Sequence, residues 1–448
     1  MLNNEAKKYI ESLTTKTKHY AQVRLYTTEN GTTRFANSEI NQNVSITDTE
    51  CLLTLYDGKK EVTVSTNVLT EAGLAQLVQD AEDLLAHVPG GEYEAFAFSQ
   101  KAIEDAPQGD GALAKAFGTT QRAALIKEGL TQVQPGYTAS GALTLTKNIN
   151  AIGDSKGAFR YAAYDHLNFN TVVTHESGAD GAGACCSYTD ADGAGACCSY
   201  TDAPDIVAQF KKAQETAALG RNPIVSELGT HTVVLSPLAF GDLVYFMTMM
   251  LNAKAVDDGR SFAAGKVGQK VFSDCLTVRD DAYHPDLRPL RYDYEGTPRK
   301  PLTLIENGII KSLVYDNKRA KKHNTDSTGH AAGPFGAIPA NVIVDAGKTP
   351  LTDIIAGTQK GIYINEFHYT NFVNPRNLQI TGLTRNGTFL IENGKLTKPI
   401  ATVRFTESLL DAFTKITAVS CEREKVSGMG INLMPAVCIE DFHFTSKG

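Results

Sequence analysis

The densest group of polar side chains that could take part in chemistry lies in one short stretch, TDSTGHAAGP, at residues 325–334. It places hydroxyl groups, a carboxylate and the imidazole of His330 among glycines. Such a loop can present backbone N–H groups and an imidazole to a ligand. The same residue types also form ordinary turns between strands, and composition alone favours that simpler interpretation.

A second unusual stretch is rich in cysteine. Residues 179–202 read ADGAGACCSYTDADGAGACCSYTD, one unit written twice without a difference, and it contains the adjacent pairs Cys185-Cys186 and Cys197-Cys198. Zinc and redox sites favour Cys-x-x-Cys spacing, whereas adjacent residues of an extended segment point in opposite directions. Residues 190–193 resemble part of a calcium loop but lack its closing Glu. We therefore predict a tandem duplication that forms a mobile or hairpin-like surface insertion, turning at residues 190–193.

The remaining cysteines and the composition bear on the compartment and on the class of partner. Cys51, Cys275, Cys421 and Cys438 lie singly in apolar contexts, so we expect small buried side chains. The N-terminus lacks the apolar segment of a signal peptide, and no apolar run is long enough to span a bilayer, which predicts a cytoplasmic protein without membrane contact. A formal net charge of −7 disfavours direct binding of nucleic acid through phosphate contacts.

The N-terminal half alternates predicted helices with predicted strands. Asp57-Gly58 predicts a hairpin turn, because Asp-Gly tolerates positive φ. Thr70 precedes apolar residues at helical spacing, which predicts a capped helix, whereas residues 148–156 have the composition of a turn-rich loop. We therefore expect a mixed α/β domain over residues 1–222, built from antiparallel strands and amphipathic helices, with the duplicated insertion inside it.

The C-terminal half has the pattern of a β-rich domain. Ser236-Pro237 predicts the start of a helix, with Ser as the cap and Pro at the first helical position. Asn307-Gly308 and Asn393-Gly394 each lie between apolar strand-forming stretches and predict two hairpins. The fold class is therefore predicted as α+β, with a barrel- or sandwich-like C-terminal domain over residues 223–448.

Four motifs in this order resemble the TldD/PmbA family of metallopeptidase-related proteins, over nearly the whole chain. They are GTHTVVLSPLAFGDLV, DSTGHAAG, IYINEFHYTNFVNP and GTFLIENGKLTKPI. Members of this family are commonly called modulators of DNA gyrase. The resemblance implies a cytoplasmic peptidase that acts on unfolded peptides, in which a zinc-bearing subunit pairs with a related subunit that lacks the metal motif.

The resemblance also implies where the metal motif should lie. In the zinc-bearing subunit a His-Glu-x-x-x-His helix follows the TVVL strand, which places the histidine positions near Tyr245 and Met249 and the glutamate position near Phe246. Tyr and Met are not ordinary zinc ligands, and Phe cannot act as a base. Met429 occupies the approximate place of a further thiol ligand. The chain is therefore predicted to be a PmbA/TldE-like member without its own zinc, which is expected only on the partner paralogue.

Three functional hypotheses follow from these observations. In the first, the chain pairs with the zinc-bearing paralogue, or with itself in isolation, and encloses an unfolded peptide in a channel lined by Gly329, His330, Glu366 and His368. In the second, it is an active metallopeptidase that uses ligands outside the usual helix, from His323, His330 or His368. In the third, it is a non-enzymatic regulator that binds DNA gyrase through protein contacts.

Overall fold

The fold is built from two sheets that follow one another along the chain. The computed structural model describes residues 3–91, 112–175, 191–199, 205–427 and 430–447, without the side chains of residues 112, 191–199 and 427. The first sheet has six strands and the second has eleven. The α+β class predicted from the sequence is confirmed, with helices on the first sheet and a strand-rich second half.

The N-terminal sheet is antiparallel throughout, in the order β3-β2-β1-β4-β5-β6. Its strands are β1 (Tyr20–Ala36), β2 (Glu39–Asp57), β3 (Lys60–Thr66), β4 (Tyr137–Asp154), β5 (Phe159–His175) and β6 (Ala191–Ser199). The helices of this half are α1 (Asn3–Thr14), α2 (Glu71–His87), α3 (Ala112–Ala116), α4 (Thr119–Leu130) and α5 (Ile206–Leu219). The predicted cap of α2 is confirmed, because Thr70 accepts a hydrogen bond from the backbone N–H of Gly73.

The two faces of this sheet have different neighbours. Alternate residues of β1, such as Val23 and Leu25, pack against α1 and α2, while Phe35 near the other end of the strand packs against α5. The opposite face meets the C-terminal half, where Ile152 and Tyr164 contact the segment around Tyr292. Period-2 alternation along each strand therefore gives one helix-covered face and one face directed at the second sheet.

The prediction of a loop at residues 148–156 is wrong for most of these residues. Strand β4 continues to Asp154 and pairs with β5 without interruption, so that Asn148 lies opposite Tyr164. The turn lies after Asp154, where Gly157 has a φ of 87°. Asn and Gly favour turns locally, but pairing on both sides of a central strand overrides that preference.

The second copy of the duplicated unit forms an edge strand. Ala191–Ser199 is β6, which pairs antiparallel with β5 and has Gly193 opposite Val173 and Ala191 opposite Thr174. The prediction of a turn at residues 190–193 is therefore wrong for residues 191–193, because Ala191 already pairs with Thr174 of β5. Asp190 and the first copy lie outside the described residues. The open edge of β5 supplies the backbone partners that make an extended conformation favourable here.

The C-terminal sheet folds back on itself, so that β7 pairs in parallel with β12 and antiparallel with β17. The domain is sandwich-like and not a closed barrel. Its first strands are β7 (Gly229–Leu235), β8 (Val278–Asp280), β9 (Leu302–Glu306), β10 (Ile309–Ile310), β11 (Val342–Val344) and β12 (Lys360–Asn374). The later strands are β13 (Gln379–Glu392), β14 (Lys395–Pro399), β15 (Val403–Ser408), β16 (Ile416–Ser427) and β17 (Ile431–Lys447).

The helices of the second half are short except for the first of them. They are α6 (Pro237–Met249), α7 (Ala253–Asp257), α8 (Asn317–Lys322), α9 (Leu351–Gly357) and α10 (Leu409–Ala412), with single 3₁₀ turns at Gly333–Phe335, Pro375–Asn377 and Phe413–Lys415. Both predicted hairpins are confirmed: Asn307 and Gly308 have φ of 48° and 76°, and Asn393 and Gly394 have 51° and 74°. Positive φ at both central positions is the requirement of the type I′ turn.

Two further observations concern the cysteines and the membrane. Cys51 and Cys438 are buried as predicted, but Cys275 and Cys421 are exposed, so the prediction is wrong for that pair. Cys275 lies in a turn, where its backbone N–H donates to the hydroxyl of Ser273. Apolar sequence neighbours do not fix burial outside regular alternation. Across the described ranges, no helix has both the length and the apolar character needed to cross a bilayer.

Candidate functional site

Helix α6 begins where β7 and β12 run side by side. The Ser236 hydroxyl accepts from the backbone N–H of Ala239 at 3.1 Å and donates to the carbonyl of Asn365 at 2.5 Å. The predicted cap is thus confirmed, and the same side chain also fastens the helix to β12. Phe240, Leu243 and Met247 are fully buried against the C-terminal core. The apolar sequence of α6 therefore makes it a core helix, held in place at its N-terminus by one serine.

One stripe of α6 remains accessible. Leu238, Asp242, Tyr245 and Met249 are half-buried, whereas their neighbours along the helix are buried. Their spacing of three and four residues places them on one face. Two of the three predicted metal-motif positions, Tyr245 and Met249, therefore lie on the accessible stripe.

The third position, Phe246, lies in the core. Its side chain is 8% exposed, and its ring packs edge-on against Phe372 of β12, with centroids 4.9 Å apart. A His-Glu-x-x-x-His motif that starts at Tyr245 ends at Met250 rather than at Met249. Met250 caps α6 and is 7% exposed, so it points into packed surroundings as well.

The accessible stripe faces polar residues of β12. The hydroxyl of Thr370 donates to Oδ2 of Asp242 at 2.5 Å. Burial raises the pKa of Asp242, and the hydrogen bond from Thr370 opposes that shift. Burial, together with the negative charge of Asp242, raises the pKa of Tyr245. Asp242 was not predicted from the sequence, although a lone carboxylate within an apolar helix was a signal that could have indicated it.

Glu366 and His368 lie two residues apart on β12, in a segment interrupted by bulges on both strands of the β12–β13 pair. Glu366 accepts a hydrogen bond from Asn386 Nδ2 at 2.6 Å. Burial raises the pKa of Glu366, opposed by Asn386 and Arg385, and the charge of Asp242 raises it further. Burial and the nearby Arg385 lower the pKa of His368. Glu366 and Asp242 are therefore electrostatically coupled across the helix–strand contact.

These residues do not fit a zinc site. Tyr245, Phe246 and Met249 present a phenol, a hydrocarbon ring and a thioether, none of which belongs to the usual Cys, His and carboxylate set. In the part of the chain that the structure describes, no group of three or more His, Cys, Asp or Glu side chains could hold a metal ion. Met429, predicted at the place of a thiol ligand, lies outside the described residues.

Gly329 and His330 belong to a different cluster. The imidazole is buried, with Nε2 at 2.9 Å from Oδ1 of Asp280 and Nδ1 at 2.9 Å from the carbonyl oxygen of Thr328. Gly329 has a φ of 73°, and a Cβ there would collide with the carbonyl of Pro298. The glycine is therefore required for a tight path, and both ring nitrogens already have partners within the protein.

The three histidines considered as alternative ligands have separate partners. His323 follows α8, and its Nε2 lies 2.9 Å from Oδ1 of Asp257 in α7, while His330 contacts Asp280. The ring of His368 packs on Tyr369, with centroids 4.0 Å apart. Glu366 interacts with Asp242 of α6, and His368 lies two residues further along β12. His323 and His330 belong to other clusters.

Comparison with known proteins identifies a metallopeptidase-related protein. The family model described as PmbA/TldA metallopeptidase C-terminal domain matches residues 228–446, and that described as PmbA/TldA metallopeptidase domain 1 matches residues 21–85. The chain belongs to the TldD/PmbA family, as its sequence motifs predicted.

Individual relatives agree with this assignment. The chain is 32% identical to a metalloprotease TldD homologue of Buchnera aphidicola over 183 residues, which are 39% of this chain and 37% of that relative. It therefore spans less than half the length of the TldD homologues it matches. The crystal structure of TldE from Thermococcus kodakarensis has a TM-score of 0.83 at 20% identity, covering 99% of this chain and 98% of that one. A proposed modulator of a DNA gyrase from Thermotoga maritima has the same TM-score at 18% identity, covering 99% and 100%. Both solved structures establish the shared fold.

Proposed function

We propose that this chain is the metal-free subunit of a TldD/PmbA-type peptidase of the cytoplasm. It pairs with a zinc-bearing paralogue and helps to hold unfolded peptides for hydrolysis. The observation that carries the proposal is the occupancy of the metal-motif positions on α6 by Tyr245, Phe246 and a methionine, Met249 or, counted by the spacing of the motif, Met250. Because their side chains supply no usual zinc ligand, the zinc and its activated water belong to the partner.

The path of β12 supports a role in peptide binding. Strand β7 pairs with β12 only from Ile362 to Ile364. Among the described strands, none pairs with that edge of β12 beyond Ile364, where the strand passes Glu366 and His368 beside α6. An extended peptide can add to such an edge by main-chain hydrogen bonding, which tolerates many sequences. Glu366 and His368 then lie at the channel wall, whereas Gly329 and His330 belong to the separate cluster around Asp280.

The decisive experiment is affinity purification of the chain from native lysate, followed by mass spectrometry. The proposal expects a stoichiometric paralogue that contains His-Glu-x-x-x-His. In parallel, the isolated chain should contain no stoichiometric zinc and should hydrolyse no unfolded peptide, while addition of the paralogue should give chelator-sensitive hydrolysis. Absence of any such paralogue from the purified complex would refute the pairing.

The two other hypotheses give different outcomes in the same material. Stoichiometric zinc together with hydrolysis by the isolated chain would establish an independent metallopeptidase. The separate partners of His323, His330 and His368 give that hypothesis no support. The hypothesis of a gyrase regulator is supported only by the names of structural neighbours. It is tested by measuring binding to purified gyrase at physiological salt, with and without DNA.

A further inference from the structure

A cavity of about 300 Å³ lies between the two halves of the chain, away from the accessible stripe of α6. One wall is the outer face of the N-terminal sheet, with Arg24 of β1 and Asn150 of β4. The other wall comes from the C-terminal half and includes the segment from Arg288 to Tyr294 together with Arg299. The proposed peptidase role uses none of these residues.

Three side chains at this cavity have buried N–H groups without an acceptor in the described part of the chain. They are Nη1 of Arg24, Nδ2 of Asn150 and Nε of Arg299. Two other contacts hold the Arg24 guanidinium in position. Its Nη2 donates to Oδ1 of Asn150 at 3.3 Å, and its Cζ lies 3.9 Å from the ring centroid of Tyr294. Buried donors normally have partners, so several orphan donors around one cavity indicate a bound acceptor.

The charges around the cavity favour an acceptor with no more than a single negative charge. Arg24, Arg288 and Arg299 line it as cations, and Arg299 forms an ion pair with Asp280 at 2.7 Å. The opposing groups are Glu50, which is exposed at the edge, and Asp293, which is buried and accepts a hydrogen bond from a backbone N–H at 2.9 Å. With the pair of Arg299 and Asp280 set aside, Arg24 and Arg288 balance Glu50 and Asp293, so the formal charges of the lining sum to zero. A monoanion adds a single charge to this lining, whereas a dianion would be repelled by both carboxyl groups.

The rest of the lining is largely aromatic and aliphatic. Its aromatic and larger aliphatic members are Tyr26, Leu52, Tyr164, Leu290, Tyr292, Tyr294 and Ile338. Its other members are Ala331, Ala332, Ala340 and His330, whose ring nitrogens already have partners within the protein. The hydroxyl of Tyr292 donates to the carbonyl of Asn150 at 2.7 Å, and that of Tyr26 donates to Asn148 at 2.9 Å. With these hydroxyls engaged, the rings offer apolar surface. A pocket with apolar walls and a few convergent donors is the usual form of a small-molecule site.

We propose that this cavity binds a carboxylate attached to an apolar or aromatic group, with Arg24 and Asn150 donating to its oxygens. Planar guanidinium groups match the geometry of carboxylates. The ligand is either a free acid or the C-terminal carboxylate of a short peptide, which share this chemistry. The inference does not depend on the subunit role proposed above, because neither Arg24 nor Asn150 belongs to the α6–β12 site.

Calorimetric titration of the purified full chain tests the inference with four probes. They are 3-phenylpropionate, N-acetylphenylalanine, the amide of N-acetylphenylalanine, and inorganic phosphate. We expect saturable binding of N-acetylphenylalanine, with the amide and phosphate at least about tenfold weaker. Binding of phenylpropionate as well assigns a free acid as ligand, and its absence assigns a peptide C-terminus.

Three variants give the test its controls. Arg24→Gln should weaken binding of N-acetylphenylalanine at least about tenfold, whereas Arg34→Gln, at an exposed arginine of the same strand, should leave it unchanged. Asn150→Asp places a carboxylate next to Arg24, so it should abolish binding and raise the thermal unfolding temperature. This last variant decides the question if Arg24→Gln fails to fold.

Four results would overturn the inference. They are no saturable binding of N-acetylphenylalanine by the wild-type chain, equal binding of its amide, tighter binding of phosphate, and unchanged binding by both Arg24→Gln and Asn150→Asp. Equal binding of the amide would show a purely apolar pocket. Tighter binding of phosphate would show that the orphan donors serve a different anion.

Discussion

Nε2 of His330 lies 2.9 Å from Oδ1 of Asp280, and both side chains are fully buried. The same carboxylate oxygen accepts from Arg299 at 2.7 Å, while Oδ2 accepts the backbone N–H groups of Ala340 and Asn341 at 2.7 and 2.8 Å. One carboxylate thus joins β8, the loop of residues 325–334 and the chain entering β11. These contacts support a role for His330 in fixing that loop.

Replacement of Asp280 by Asn should strongly destabilise the protein, because it leaves Arg299 as a buried charge without its counter-ion. The expected loss is about 3–5 kcal/mol, measured as the shift in the denaturant midpoint. Asp274→Asn is the matched control, since Asp274 is exposed in its ion pair with Lys270 and should cost less than about 1 kcal/mol. Equal stabilities of the two variants would contradict the assignment of Asp280 as the buried counter-ion.

The effect of Asp280→Asn should also have a defined pH dependence. Burial opposes ionisation, but the charges of Arg299 and His330 hold the pKa of Asp280 well below its usual range. A carboxylate whose folded pKa is depressed stabilises the protein above its unfolded pKa of about 4, and that contribution is lost as the pH falls further. The difference between variant and wild type should therefore be constant from about pH 5 to 8 and shrink only in stronger acid.

Glu295 should affect the pH dependence of stability in the opposite direction. Burial, with the nearby Asp293 adding to it, raises the pKa of Glu295 to about 8, although Asn317 donates two hydrogen bonds to its carboxylate. A raised folded pKa means that the contribution of this group is fully present below about pH 4.5 and is lost as the pH rises through about 8. Glu295→Gln does not titrate, so its stability relative to the wild type should increase from pH 5 to pH 8. Thermal unfolding at several pH values measures this, and a pH-independent difference would contradict the raised pKa.

Local signals in the sequence predicted the ends of elements well. Ser236 caps α6 and Thr70 caps α2 because side-chain acceptors for free helix N–H groups act within three residues. The Asn393-Gly394 turn follows from the φ angles that a two-residue hairpin requires. The extent of β4 could not be predicted in this way, since Asn148 and its neighbours become strand only through pairing with β1 and β5.

The site shows the same division between local and tertiary information. Glu366 and His368 lie two positions apart on one strand, so the sequence already places them on one face. The contact between Asp242 and Thr370 joins residues far apart in the chain, and no sequence pattern predicts it. The interdomain cavity around Arg24 depends likewise on the packing of two sheets against each other.

Under the proposed subunit role, Glu366→Gln should reduce peptide hydrolysis by the assembled complex without unfolding the subunit. Gln retains an oxygen that can accept from Asn386, but it removes the negative charge beside the free edge of β12. We expect about a tenfold lower kcat/KM, the effect of losing one charged hydrogen bond to substrate. Glu392→Gln, at an exposed hairpin turn, is the control and should retain full activity. Unchanged turnover by Glu366→Gln would remove this residue from the channel wall.

The duplicated unit allows a deletion test with an unusual property. Residues 179–190 and 191–202 are identical, so deletion of either copy produces the same chain. The remaining copy still precedes Ala203 and α5, as the β6 copy does now. Its connection to His175 of β5 shortens to residues 176–178, which is within the usual length of hairpin loops.

The single-copy variant should therefore retain β6, and its free energy of unfolding should lie within about 0.5 kcal/mol of the wild-type value. The reason is that shortening this connection does not increase the entropy cost of closing it. Deletion of residues 179–202 is the contrasting variant. It removes β6 and leaves the backbone groups of β5 as an open edge, which favours association between chains. Size-exclusion chromatography should show concentration-dependent association only for the double deletion. If the single-copy variant associates or unfolds as the double deletion does, the length of the insertion, and not only its strand, is required by the fold.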